Sequence, residues 1–116
     1  MKTRFELEVK GDKKPFNVGL ISLGKYQQAK GFSFEDFLIN IQTNSFLYIP
    51  DIMYWAMEFE CKRKGVSCIS NDDFIDWIDE KGYNNDVLVD FTAKLLDCLN
   101  DSLPQQETNK PQSKKK

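Results

Sequence analysis

Two short stretches, "GFSFEDF" at residues 31–37 and "CISNDDF" at residues 68–74, share one pattern. Each contains an apolar residue, a serine, any residue, two acidic residues and a phenylalanine, in that order. A serine followed three residues later by an acid is typical of a helix start. The hydroxyl accepts a backbone N–H bond, and the carboxylate reaches back towards the serine N–H. The pattern therefore predicts that helices begin directly after Ser33 and Ser70.

The apolar residues around each serine support this prediction. Phe32 and Phe37 flank the first serine at the spacing of a hydrophobic staple, and Ile69 and Phe74 flank the second in the same way. The additional acid of each stretch falls in the first helical turn, where the helix dipole favours negative charge. We therefore interpret these acids mainly as helix-start residues and not as a paired-carboxylate site.

The N-terminal residues predict a β-hairpin. Residues 3–9, "TRFELEV", alternate apolar and polar side chains, which is the pattern of a half-buried strand. After the turn "KGDKK", the alternation resumes in "PFNV" at residues 15–18. Because Pro15 has no N–H group, we expect its strand to begin there or to lie at a sheet edge.

The spacing of apolar residues after Gly19 predicts five helices. They are expected at about residues 20–30, 34–44, 50–64, 71–81 and 86–102. The stretch "NSFLYIPD" is interpreted as a break before the third helix, with Pro50 in the first turn of that helix.

The predicted fold class is α+β, mostly α: an N-terminal β-hairpin followed by about five helices. Residues 1–103 are expected to form a single domain. The tail at 104–116, "PQQETNKPQSKKK", has no aliphatic or aromatic residue, so it has no apolar surface to offset its ordering entropy and is predicted to be disordered.

Charge is distributed unevenly along the chain, although the net charge is only −2. Residues 1–34 hold seven Lys/Arg and three Asp/Glu, a net +4, whereas residues 70–103 hold two Lys and nine Asp/Glu, a net −7. The acidic part argues against docking of that face on phosphates. It suits a basic protein partner, or simply solubility.

No pattern in the chain points to catalysis, a metal or a cofactor. Histidine is absent, which excludes a histidine base. With no histidine and only three cysteines, none in a CxxC pair, the chain lacks the ligand set of a typical zinc site. Cys61 and Cys98 are interpreted as buried thiols. Asp72, Asp76 and Asp79/Glu80 share one helix face, opposite the apolar Phe74 and Ile78, which is typical of a solvated surface. We therefore expect a protein that is not an enzyme and has no cofactor.

Targeting signals are also missing. No apolar run is long enough to cross a membrane, and the first residues, "MKTRFELEVKGDKK", lack the apolar segment of a signal peptide. The sequence therefore predicts a cytoplasmic location and no membrane partner.

The fourth and fifth helices, joined by "GYNN", resemble a helix-turn-helix in outline. The helix that would read DNA carries four aspartates, at 86, 90, 97 and 101, against the single Lys94. These carboxylates would repel phosphates, so no nucleic-acid partner is expected. A small helical DNA-binding or regulatory accessory protein of a phage or mobile element remains the alternative interpretation.

Aromatic and methionine side chains on the third and fourth helices give the chain its positive signal for protein binding. Aromatic residues are enriched at binding faces, and methionine adapts to irregular partners. The candidate partner-binding residues are Tyr54, Trp55, Met57 and Trp77.

The order of these segments resembles a known family. The hairpin "FELEVKGDKKPFNV" leads into "GLISLGKYQQAKGFSFEDFL", and an aromatic-rich helix follows. Next come "GVSCISNDDFIDWIDEKG" and an amphipathic helix with a polar, lysine-ended tail. This layout, over about residues 3–103, resembles the small tail assembly chaperones of long-tailed bacteriophages and prophages.

The resemblance implies a non-enzymatic role in virion tail assembly in the host bacterial cytoplasm. Such chaperones bind the tape-measure protein, keep its long hydrophobic helices soluble, and help tail-tube subunits to assemble around it. The resemblance supplies no catalytic residues. We expect an apolar or Met/aromatic groove between helices to bind a partner helix, with the acidic C-terminal helices attracting a basic or amphipathic client.

Overall fold

The computed structural model describes residues 2–82 and 85–102. A two-stranded antiparallel hairpin precedes five helices, which confirms the predicted α+β, mostly α class. The elements are β1 (Arg4–Val9), β2 (Asp12–Asn17), α1 (Leu20–Lys30), α2 (Phe34–Thr43), α3 (Ser45–Lys64), α4 (Asn71–Lys81) and α5 (Asp86–Ser102). The predicted domain end at 103 and the predicted disordered tail lie outside the described residues.

The hairpin closes through a two-residue turn. Lys10 and Gly11 both have positive φ angles, of 54° and 84°, as a type I′ turn requires. The pairing runs from Val9 opposite Asp12 to Arg4 opposite Asn17. Pro15 lies opposite Glu6, where the sheet tolerates a missing N–H because both strands of a two-stranded sheet are edges.

Helix α3 is the central element of the fold. It packs on β2 and contacts each of the other four helices, while α5 also packs on β1. Phe5 and Phe16 of the hairpin stack with ring centroids 5.9 Å apart, and Phe91 of α5 lies against both rings. The hairpin and the helices therefore share one core.

Both predicted serine caps are present. Ser33 Oγ accepts the Asp36 N–H over 3.1 Å, and Ser70 Oγ accepts the Asp73 N–H over the same distance. Within the part of the chain that the structure describes, neither aspartate forms the reciprocal bond to its serine N–H. An aspartate side chain is one methylene shorter than the glutamate usual at this position. The caps thus fix the starts of α2 and α4.

The predicted start of the third helix was wrong. Helix α3 begins at Ser45 and contains Pro50, instead of beginning at 50. Asn44 accounts for the difference, because its N–H bonds to the Asn40 carbonyl at the end of α2 while its own carbonyl accepts the Tyr48 N–H. One residue therefore ends α2 and begins α3, and the helix extends through the stretch interpreted as a break.

A buried carboxylate fastens the hairpin to α3. Glu60 is 0% exposed, and its Oε1 accepts bonds from Asn17 Nδ2 at 2.9 Å and from Arg63 Nε at 2.8 Å. Burial by itself would raise the pKa of Glu60. The hydrogen bonds from Arg63 and Asn17 outweigh burial and hold this pKa below its ordinary value.

Candidate protein-binding groove

Two of the four predicted partner-binding residues lie in the core. Met57 of α3 is 0% exposed and Trp77 of α4 is 5% exposed. The Trp77 ring packs against Phe74 with centroids 5.8 Å apart. A partner therefore cannot touch Met57 or most of Trp77 while α3 and α4 remain packed.

The other two, Tyr54 and Trp55, are half-buried and their polar atoms have partners inside the protein. The Tyr54 hydroxyl donates to the Ile69 carbonyl over 2.9 Å, and Trp55 Nε1 donates to the Ser22 carbonyl over 3.0 Å. Burial raises the pKa of the Tyr54 hydroxyl. Both side chains join α3 to neighbouring segments, and their contact with a partner stays a prediction.

The first turn of α3 carries two large apolar side chains with high solvent exposure. Phe46 is 77% exposed and Leu47 is 81% exposed. On α4, Ile75 is also exposed. Single exposed apolar residues are ordinary on protein surfaces, whereas a contiguous group beside a concavity marks an interaction site.

These residues line a concavity between the two helices. We call it the α3–α4 groove, formed by Phe46, Leu47 and Pro50 of α3 and by Phe74, Ile75 and Ile78 of α4, with a volume of about 250 Å³. A second concavity of about 450 Å³ shares Phe46, Pro50 and Ile78 and continues to Gly82 and to Leu88 of α5. The apolar surface is therefore continuous from the start of α3 to the start of α5.

Local sequence explains how the groove is built. Phe74 and Ile78 are four residues apart on one face of α4, and Ser70 fixes where that helix begins. Phe74 is buried against Tyr54 and Trp77, so this ring forms a rigid floor. The groove follows α4 from Asn71 to Asp79, a length of about 12 Å, or about two helical turns, and the second concavity continues to Gly82.

Two aspartates border the groove and differ in their environment. Asp51 of α3 has an ion pair with Lys30 Nζ at 3.1 Å and accepts the Tyr26 hydroxyl at 2.7 Å. Asp79 of α4 is exposed. None of the three ion pairs found among residues 2–82 and 85–102 involves Asp79. The groove is thus apolar in its floor and charged at its α4 edge.

A second surface of different character lies at the hairpin. It is a polar cleft of about 420 Å³ whose cationic lining consists of Lys2, Arg4, Lys13 and Lys64. Glu6 and Glu60 line the same cleft. The lining of this cleft is therefore mainly cationic, whereas exposed carboxylates lie along α4 and α5.

Among the described residues, the thiols and the acidic cluster do not come together as a metal-binding group. Cys61 and Cys98 are buried, as the sequence predicts. Burial, and to a smaller extent Cys68, raises the pKa of the Cys61 thiol to about 11. No cluster of three or more metal-binding side chains was found among the described residues.

Comparison with known proteins gives no relative from which a function can be transferred. No protein-family model, curated protein sequence or solved structure matches the chain. Across residues 2–82 and 85–102, no helix combines the length and apolar character needed to span a bilayer.

The sequence interpretation expected a groove between helices but missed its lining residues, because it placed Phe46 and Leu47 in a break between helices. The available signal was an adjacent aromatic and aliphatic pair next to a possible helix cap at Asn44. Once α3 is known to begin at Ser45, both side chains lie in its first turn. Periodicity alone did not distinguish Trp55 or Met57, on the inner side of α3, from surface residues.

Proposed function

We propose that this chain is a non-enzymatic phage tail assembly chaperone that binds the tape-measure protein in the cytoplasm of the host bacterium, with the tail-tube subunit as a second candidate partner. The observation that carries the proposal is the α3–α4 groove with Phe46 and Leu47 exposed at its edge. Covering both side chains would stabilise a complex by about 1.5 to 3 kcal/mol for each fully buried residue.

The shape of the groove supports a helical client. An amphipathic helix binds a concave apolar surface through anchors three to four residues apart, and the α3–α4 groove together with the second concavity extends for about three turns. Leu88 prolongs the same apolar surface. A chaperone for long hydrophobic helices needs such a surface, because it must cover apolar side chains that would otherwise aggregate.

The arrangement of the elements also supports the proposal. The resemblance to tail assembly chaperones rests on a hairpin that leads into a helix, followed by an aromatic-rich helix and two further helices. The fold contains these elements in that order. Phe5 and Phe16 pack against Phe91, so the hairpin belongs to the same core as the final helix.

Co-expression with the tape-measure protein of the same phage or prophage tests the proposal. We expect the chain to raise the soluble fraction of that protein and to co-purify with it. Leu47→Ser should reduce both effects, whereas Leu20→Ser should not, because Leu20 is 77% exposed but lies outside the groove. Unchanged solubility of the tape-measure protein with the wild-type chain would contradict the proposal.

A nucleic-acid-binding accessory protein is the second candidate, and the basic cleft at the hairpin is the observation that favours it. The acidic surface of α5 opposes it, since Asp86, Asp90 and Asp97 are exposed and would repel phosphates. A mobility-shift measurement with duplex DNA at moderate salt separates the two candidates. Binding that Lys13→Glu and Lys64→Glu abolish would favour the accessory protein.

A further inference from the structure

We infer that the α3–α4 groove selects an amphipathic client helix that carries Lys or Arg along one flank of its apolar stripe, the flank that lies against α4. The inference rests on the proposed function in taking the groove as the client site, and it adds the chemical class of the client. It is carried by an asymmetry of charge between the two edges of the groove.

The α4 edge carries a row of carboxylates. Asp72, Asp76 and Asp79 are three, four or seven residues apart, so they share one side of the helix. All three are exposed. No Lys or Arg of the described ranges forms an ion pair with any of them. Asp79 lines the groove beside Ile75 and Ile78, and Asp76 and Asp72 continue the row of negative charge on the same side of the helix.

The α3 edge offers no comparable charge. Its acid, Asp51, is paired with Lys30 and also accepts the Tyr26 hydroxyl. Lys30 Nζ additionally lies 5.6 Å from the centre of the Tyr26 ring. The remaining α3 residues at this edge, Phe46 and Leu47, are apolar. A cation on the client therefore gains favourable electrostatic interaction on the α4 side and little on the α3 side.

The same charges argue against helix α5 of a second copy of this chain as the occupant. The exposed apolar residues of α5 are Val89 and Leu96, and exposed aspartates accompany them at 86, 90 and 97. Placing this stripe in the groove would bring those aspartates towards Asp79 and its neighbours, and like charges in contact are unfavourable. A partner with basic flanks fits the groove and a second α5 does not.

Designed peptides test the inference directly. The probes are helices of about 18 residues, about five turns, with one leucine stripe and with flanks of glutamine, one row of lysine, two rows of lysine, or one row of glutamate. Binding to the full chain is measured by fluorescence anisotropy at low and high salt. We expect one lysine row to tighten binding at least about fivefold over glutamine at low salt and the gain to shrink at high salt.

The second lysine row and the glutamate row test the asymmetry. The second lysine row should add less than about twofold, since the α3 edge lacks a free acid, and the glutamate row should weaken binding. Equal gains from both lysine rows would overturn the one-sided claim. A glutamate peptide that binds as well as the lysine peptide would overturn the inference as a whole.

Two adjacent substitutions on α4 provide a matched control. Asp79→Lys should remove the gain from lysine because Asp79 lines the groove. Glu80→Lys makes the same change of charge one residue away, about 100° around the helix, and should alter binding less than about twofold. Equal effects of both substitutions would show that the gain comes from the overall negative potential of the acidic helices. That result would contradict a local effect of the α4 edge.

The outcomes for the inference and for the proposed function are separable. If the tape-measure protein binds and Leu47→Ser prevents it, but lysine peptides bind no better than glutamine peptides, the inference fails and the function stands. If lysine peptides bind in the groove but the chain leaves the tape-measure protein insoluble, the function fails and the inference stands. Absence of both effects contradicts both.

Discussion

Trp55 Nε1 donates a hydrogen bond to the Ser22 carbonyl oxygen over 3.0 Å and thereby joins α3 to α1. The Trp55 ring also meets Tyr26 edge-on, with ring centroids 5.6 Å apart. An aromatic residue that the sequence suggests as a partner contact is thus held by contacts within the protein. The Trp55 side chain therefore stabilises the packing of α3 on α1. The proposed client-binding surface lies instead at the first turn of α3.

Replacement of Trp55 tests whether this residue stabilises the fold without contacting the client. Trp55→Phe removes the bond to the Ser22 carbonyl and should lower the free energy of unfolding by about 1 to 3 kcal/mol. Urea unfolding measures the change, and binding of the one-row lysine peptide at a temperature where the variant is folded should be unchanged. Loss of binding with normal stability would show that Trp55 contacts the client.

The two serine caps should each contribute to stability. Ser33→Ala and Ser70→Ala remove the acceptors of the Asp36 and Asp73 N–H groups, and each should cost about 1 kcal/mol in urea unfolding. Ser67→Ala, at an exposed serine outside the helices, is the control and should cost less than about 0.5 kcal/mol. A loss of stability at Ser67 equal to that at the caps would contradict the assignment.

The buried Glu60 makes part of the stability depend on pH. Its pKa is lower in the folded chain than the ordinary value of 4.5, so the folded state binds fewer protons than the unfolded state. The contribution is complete above the unfolded pKa and is lost as the pH falls through the lower, folded pKa. It therefore disappears at acid pH and not at alkaline pH.

Glu60→Gln isolates this contribution because glutamine retains an acceptor for Asn17 but no charge. We expect the variant to be less stable than the wild type at neutral pH, with the difference narrowing as the pH falls below about 4.5. Arg63 is about half exposed, so solvent screening weakens the ionic part of its contact with Glu60. A stability difference that does not change with pH would contradict the role assigned to the Glu60 charge.

The thiols should react in a defined order. Cys68 is half-buried, whereas Cys61 and Cys98 are buried, and burial raises the pKa of the Cys61 thiol to about 11. Since the thiolate is the reactive form, a thiol reagent at mildly alkaline pH should modify Cys68 first. Cys61 should react only after unfolding. Mass spectrometry of the labelled peptides gives the order, and early labelling of Cys61 in folded protein would contradict it.

Most of the fold was predictable because its signals are local. Alternation in "TRFELEV" indicated a strand, and the serines at 33 and 70 indicated two helix starts, all of which depend on residues close in sequence. The start of α3 was not predictable in this way, because Asn44 serves two helices at once and Pro50 is tolerated inside α3.

The candidate site was less predictable than the fold. Whether Met57 or Leu47 is exposed depends on which side of α3 faces β2 and the other helices, and this is decided by packing between segments distant in sequence. The sequence indicated correctly that the acids of α4 are exposed. It could not show that Asp79 borders an apolar groove while Asp51 is paired with Lys30.

The central claim is that the α3–α4 groove is the client site. Site-specific photo-crosslinking is the most direct test of this claim. The photoreactive residue p-benzoylphenylalanine is placed at Leu47 or at Leu20, two leucines of similar exposure, 81% and 77%, on different helices. Each protein is irradiated in the presence of the tape-measure protein. We predict a crosslink from position 47 and none from position 20. A tape-measure complex that crosslinks from position 20 but not from position 47 would contradict the account.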